Sequence, residues 1–144
     1  MPQRYTDFIK EKGNCPFCAP APERILASDE YSYLTYALAP YHEHHLLVIP
    51  KRHTEDFEDQ TAEELTSINA HLRQAVAFLK KRGYSDYTIL LRTGARTGQS
   101  VPHQHYHAIP AVVISNLTYN NDERLVMTDE QIARLVTQFR ESHP

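Results

Sequence analysis

Apolar positions along the chain change period several times, and each change predicts a switch between strand and helix. Glu23 to Ala27 reads as a short strand, Ser28-Asp29-Glu30 as a turn, and Tyr31 to Leu38, rich in tyrosine and threonine, as the next strand. Pro40 opens a polar loop. Leu46-Leu47-Val48-Ile49 is a continuous apolar run closed by Pro50, which fits a central strand. From about Ala62 to Arg82, the residues Leu65, Ile68, Leu72, Val76 and Leu79 recur at spacings of three and four, one face of a long helix. Thr61 and Glu64 form a capping box before it, and Gly83 is a natural stop after it. Tyr87 to Leu91 reads as a strand, and Thr93 to Ser100, with glycines and hydroxyls, as a loop. Alternation then returns up to Pro110. A second helix follows Thr128, with Ile132, Leu135, Val136 and Phe139 on one face. Strands cluster and helices stand apart, so the expectation is an α+β fold: a mostly antiparallel sheet, one long helix and a C-terminal helix. The long helix is able to supply one parallel crossover. Residues 1–144 are read as a single domain ending in a mobile Ser-His-Pro.

Composition narrows the function. The chain has 144 residues and a formal charge of −3, so no global field favours nucleic acid. Locally, Lys51, Arg52, Arg92 and Arg96 lie near the histidine-rich segments, which favours a small anionic ligand. No apolar stretch approaches the roughly 20 residues of a membrane helix. The N-terminal MPQRYTDFIKEKGN lacks the apolar core of a signal peptide, so a cytoplasmic location is expected.

The alternating segment is where chemistry concentrates. In Gly98-Gln99-Ser100-Val101-Pro102-His103-Gln104-His105-Tyr106-His107-Ala108-Ile109-Pro110, three histidines recur at every second position. If the run is extended, all three imidazoles share one face. Two chemistries compete. All three can hold one catalytic metal with a position left for water. Alternatively, the middle histidine is a nucleophile toward phosphorus, with its neighbours orienting it, Ser100 donating to a leaving oxygen, and backbone N–H groups of Gly94 to Gly98 cradling phosphate. The two cysteines stand as Cys15-x-x-Cys18. They are half of a zinc site or a reduced pair packed without metal; a thioredoxin-like role would need a βαβ context that is absent. Tyr41-His42-Glu43-His44-His45 reads as a solvated loop leading into a strand rather than a dedicated metal tract. The acidic Glu55 to Asp59 suits the approach to a helix N-terminus. Tyr31, Tyr33 and Tyr36 read as sheet residues, and His71 as a helix-surface residue.

Two blocks carry a resemblance. Gly98-Gln99-Ser100-Val101 followed by His103-x-His105-x-His107 resembles the signature of the histidine triad (HIT) superfamily, and His45-Leu46-Leu47-Val48-Ile49-Pro50-Lys51-Arg52-His53 is similar to its His-x-Leu-Val-Ile-Pro-Lys-x-His strand. The resemblance spans roughly Cys15 to Pro110. It implies a nucleotide hydrolase or nucleotidyltransferase that cleaves at the α-phosphate of an ester, anhydride or phosphoramidate through a nucleotidyl-histidine. His105 is then the nucleophile, His107 assists at the phosphate, and Ser100 serves the leaving group. His45, Gln99, Gly98 and Arg92 line the nucleotide site. Relatives with a Cys-x-x-Cys knuckle imply a structural zinc held by Cys15, Cys18, His53 and His103, and relatives commonly form homodimers. Ile25, Leu26 and Leu38 are the residues that family analogy puts around a purine.

Three positions depart from the pattern. Arg92 replaces an Asn in the Asn-x-Gly that often precedes Gly-Gln-Ser, which fits a more highly charged substrate or a structural ion pair. His44 replaces a Gly, and Ala37 stands near the place of an acidic residue that often holds the ribose. Retention of His107, where some branches carry Gln, argues against a uridylyltransferase-like or phosphorylase-like enzyme. Two alternatives stand beside the hydrolase reading: a three-histidine metal-dependent hydrolase, and a nucleotide-binding protein with little catalysis.

Overall fold

The computed structural model describes residues 15–114 and 125–142. The readings of the first 14 residues and of the last two lie outside the described residues. Five strands, β1 (Ile25–Ser28), β2 (Ser32–Tyr36), β3 (Leu46–Pro50), β4 (Tyr87–Leu91) and β5 (Tyr106–Pro110), form one sheet in the order β1-β2-β3-β5-β4. Every neighbouring pair is antiparallel. Helix α1 (Ala62–Lys81) joins β3 to β4, and β5 inserts between them, so β3 and β4 run parallel two places apart. Helix α2 (Asp129–Ser142) follows. The apolar run at Leu46 is the middle strand, buried at every position, as its composition predicts.

Both helices cover one face of the sheet. Leu34, Tyr36, Leu46, Val48, Tyr106 and Ala108 meet Ile68, Ala75, Phe78 and Leu79 of α1 and Ile132, Leu135, Val136 and Phe139 of α2. The rings of Phe78 and Phe139 pack 4.7 Å apart where the helices meet. On the opposite face, Tyr33, Leu47 and Ile49 are covered by Phe17 of the cysteine knuckle and Val101 of the loop before β5. Among the described residues no helix covers that second face, and it carries His45, His105 and His107.

The helix ends match their signals. Thr61 and Glu64 make the reciprocal capping box of α1, and Gly83 takes a φ of +93° that favours glycine. A second box, Thr128 with Gln131, starts α2. The buried stripe of α1 is rotated from the predicted one. It runs through Glu64, Ser67, Ile68, His71, Ala75, Phe78 and Leu79, while Leu65, Leu72 and Val76 are half-buried. The cause is polar. Arg52 forks onto Glu64 at 3.0 and 2.7 Å, holding its carboxyl below the usual range. Ser32 bonds His71 Nδ1 at 2.7 Å beneath the helix. His71 is therefore buried, not on the surface. Pro22–Arg24 forms a single 3-10 turn, so the first strand begins only at Ile25.

Burial lowers the pKa of both His44 and His71 from 6.5. The native state holds them neutral, whereas the unfolded chain takes up their protons below about pH 6.5. Stability is therefore expected to decline as pH falls through this window. Urea unfolding measured from about pH 7.5 down to about pH 5.5 checks this, and His44→Phe is expected to give a shallower loss than the wild type.

Candidate active site and metal centre

The histidines do not share one strand. Only His107 lies within β5; His103 sits in a bend and His105 in extended chain just before the strand. The bend places the first imidazole away from the other two. His103 Nε2–H donates to the carbonyl of Pro50 at 2.7 Å, which leaves the lone pair on Nδ1. That Nδ1 lies 3.2 Å from Cys15 Sγ, 3.6 Å from Cys18 Sγ and 3.2 Å from His53 Nδ1. Cys18 Sγ is 3.2 Å from His53 Nδ1, and His53 Nε2 bonds Glu55 at 3.1 Å. The four ligand atoms all lie within 4.8 Å of one another.

This donor set fits a tetrahedral cation. Zinc bonds of about 2.0–2.3 Å imply ligand–ligand edges of about 3.3–3.8 Å. Two imidazole lone pairs facing each other beside two sulfurs need positive charge between them. Each imidazole also donates its other N–H to a carbonyl or carboxylate, the outer support typical of metal-bound histidine. Among the described residues the His42–His45 tract forms no comparable group. His44 instead packs on Tyr36, Phe78 and Tyr84.

His45, His105 and His107 face a narrow cleft. It is lined by Pro16, Phe17, Ala37, Leu38, Ala39, His45, Leu47, Arg92, Gly98, Gln99, Ser100, His105 and His107. His105 Nδ1–H donates to the backbone carbonyl of His103 at 2.7 Å, which puts the lone pair on Nε2. A second chain of bonds sets His107. The N–H of Tyr41 donates to His45 Nδ1 at 3.1 Å, so neutral His45 carries its proton on Nε2. That proton is shared with His107 Nδ1 at 2.9 Å, and neutral His107 is then protonated at Nε2. One imidazole thus presents a lone pair and its neighbour, 4.9 Å away between ring centres, presents a donor. The pairing of β3 with β5 makes this possible, because Leu47 lies directly opposite His107 and His45 is two residues back on the same face.

In the loop before β5, three of the backbone donors named from the sequence are turned inward. The N–H groups of Gly94, Thr97 and Gly98 are bonded inside the loop, to Gln99 Oε1 and to the carbonyls of Gly94 and Ala95. Gly98, at φ +92°, lets the chain turn there. The donor that the loop offers is a side chain: Gln99 Nε2 is buried at the cleft without a hydrogen-bond partner.

A wider groove adjoins the cleft and shares Pro16, Phe17 and Leu38 with it. Its other walls include Ala19, Pro20, Thr35 and Tyr36. Leu38 lines both spaces. Ile25 and Leu26 line neither space; they pack against the two cores instead. Phe17 and Tyr41 are site residues that sequence reading missed. Phe17 stacks edge-on against His105 at 4.9 Å, and Tyr41 lies parallel to His45 at 5.7 Å. Only the proximity of Phe17 to the cysteines could have marked it.

Residues 19–112 match the HIT domain. The chain is 33% identical over 100 residues to an uncharacterized HIT-like protein of Methanocaldococcus jannaschii, covering 67% of this chain and 78% of that one. It is 31% identical over 97 residues to a bis(5'-adenosyl)-triphosphatase of Saccharomyces cerevisiae, covering 66% of this chain and 47% of that one. The chain therefore spans about half the length of that relative. A Zn-bound histidine triad family protein from Mycobacterium smegmatis has a solved structure with a TM-score of 0.66 and 25% identity, covering 90% of this chain and 95% of that one.

Purified without chelator, the protein is expected to carry about one zinc per chain, measured by elemental analysis. Cys15→Ser with Cys18→Ser is expected to abolish that zinc and lower the melting temperature, since metal binding contributes directly to folding stability.

Proposed function

Because the chain belongs to the histidine triad family, we propose that it is a nucleotide hydrolase or nucleotidyltransferase acting at an α-phosphate, with His105 as nucleophile. The observation that carries this reading is the tautomer of His105, whose Nδ1–H is held by the His103 carbonyl so that Nε2 faces the cleft as a base. The Nε2 lone pair attacks the α-phosphorus as the bond to the leaving group breaks, and the leaving group departs with that electron pair. Ser100 donates to the departing atom. Water then attacks the nucleotidyl-histidine, the P–N bond breaks, and the nucleoside monophosphate leaves with His105 regenerated; a second acceptor in place of water makes the reaction a transfer.

His107 Nε2–H and the orphaned Gln99 Nε2 are the donors for the non-bridging oxygens, with His45 holding the proton on the far side of His107. Arg92 and Gly98 complete the phosphate wall. The adjoining groove takes the base between Phe17, Pro20 and Leu38. Zinc at Cys15, Cys18, His53 and His103 is structural in this scheme: when bound, it ties the knuckle to the strands. A three-histidine catalytic metal is disfavoured because His103 Nδ1 faces the cysteines, away from the cleft.

The assembly we infer is a homodimer. Strand β4 is a sheet edge that exposes Tyr87 at 40% and Ile89 at 45%, apolar side chains suited to a partner copy. Among the described residues no helix is long and apolar enough to cross a membrane. A cytoplasmic location, with a small nucleotide rather than a nucleic acid as ligand, goes with this reading.

His105→Ala is expected to abolish turnover of a nucleotide substrate panel. Mass spectrometry of acid-quenched wild type is expected to detect one added nucleotidyl group that the variant lacks. Full activity in the variant would refute the mechanism. Separately, Ile89→Lys is expected to shift sedimentation from dimer toward monomer while the circular dichroism spectrum stays native.

A further inference from the structure

Arg92 follows the last residue of β4. In the β4–β5 register, Leu90 lies opposite His107 and Leu91 opposite Tyr106, so the next step places Arg92 across from His105 and on the face of His107. The side chain is only 9% exposed and lines the cleft. Its position is set by Tyr41. The guanidinium donates from Nη1 to the Tyr41 hydroxyl at 3.3 Å, and its carbon lies 5.8 Å from the centre of the Tyr41 ring. Tyr41 is in turn stacked on His45 at an interplanar angle of 18° and bonded to it through its own N–H. A permanent cation is thus anchored to the same residue that sets the His45–His107 tautomer chain.

From this arrangement we infer that Arg92 selects substrates by the charge of the leaving group, favouring nucleoside phosphoanhydrides, whose leaving group is itself a phosphate, over phosphoramidates, whose leaving group is an amine. The inference rests on the reading of the cleft as a nucleotidyl-transfer site. When His105 Nε2 bonds to the α-phosphorus and the P–O bond of an anhydride breaks, the bridging electron pair stays with the departing phosphate, and its negative charge grows. When the P–N bond of a phosphoramidate breaks, the nitrogen takes up a proton and departs as neutral amine. A guanidinium in a largely dehydrated wall stabilises the first kind of charge development far more than the second. A carboxamide at this position is able to donate hydrogen bonds but brings no net charge.

The experiment compares kcat/KM for bis(5'-adenosyl) triphosphate and adenosine 5'-phosphoramidate in the wild type, Arg92→Gln, Arg92→Lys and Tyr41→Phe. Arg92→Gln is expected to slow both substrates, and to lower the ratio of triphosphate to phosphoramidate efficiency by roughly tenfold or more, the effect of losing one charge-assisted hydrogen bond. Arg92→Lys is expected to recover part of the ratio. Tyr41→Phe, which keeps the ring and removes the hydroxyl contact to the guanidinium, is expected to lower it by a smaller factor in a protein that folds even if Arg92→Gln does not. An unchanged ratio in both Arg92→Gln and Tyr41→Phe would overturn the inference, and would do so without touching the His105 mechanism, which the trapped nucleotidyl group tests. If the wild type turned over neither substrate, calorimetry with inorganic pyrophosphate would still decide. Weaker binding by Arg92→Gln and Tyr41→Phe supports the charge role, and affinity equal to wild type in both removes it.

Discussion

The imidazole of His103 is held at both ring nitrogens while its own carbonyl holds a third group, and the geometry of the cleft depends on that double anchoring. Nε2–H reaches the end of β3 at Pro50. Nδ1 faces Cys15, Cys18 and His53. The carbonyl accepts from His105 and selects its tautomer. The orientation of this single residue therefore connects the Cys15–Cys18–His53 group, the central strand and His105. Phe17, between the two cysteines, adds a second link, because its ring touches His103 and His105 and its carbonyl accepts from buried Tyr33. Anything that loosens the knuckle moves a wall of the cleft and the carbonyl that orients His105 together.

The sheet contributes a complementary constraint. His45 and His107 are 62 residues apart, and their 2.9 Å contact exists because β3 and β5 are neighbours with Leu47 across from His107. A slip of one residue would turn His107 to the helix-covered face. The apolar residues of β3 and β5 resist such a slip, since Leu46, Val48, Tyr106 and Ala108 would lose their places against α1 and α2. Packing on one face thus maintains the chemistry on the other.

Much of this was legible in the chain. Strong local signals, such as the Thr61–Glu64 box, Gly83 and the Leu46 run, gave their elements to within a residue. The two histidine blocks located the cleft and, with the Cys15–Cys18 pair, a group of four side chains close enough to hold a metal. The rest failed for identifiable reasons. The alternation of His103, His105 and His107 suggested one continuous strand, but the pull of His103 toward the cysteines bends the chain before β5 begins. The buried face of α1 was misjudged because Glu64, Ser67 and His71 are polar, and the tertiary partners Arg52, Asp29 and Ser32 make their burial tolerable. Tyr41 and Phe17 carry no pattern of their own; each becomes a site residue through a neighbour distant in sequence.

The loop before β5 divides its hydrogen bonding between backbone and side chains. A glycine-bearing loop invites the idea of a backbone anion nest. In this chain the loop's N–H groups close its own turns, and Gly94 N–H is satisfied by Gln99 Oε1. That bond has a directional consequence. It fixes the amide of Gln99 with its oxygen toward the loop, so the nitrogen becomes the group left at the cleft without a partner. A buried donor lacking an acceptor is costly. An oxygen-rich ligand that approaches His105 removes the cost, whereas a ligand without such oxygens leaves it in place. The loop's internal hydrogen bonding therefore leaves one buried amide donor at the cleft beside His105.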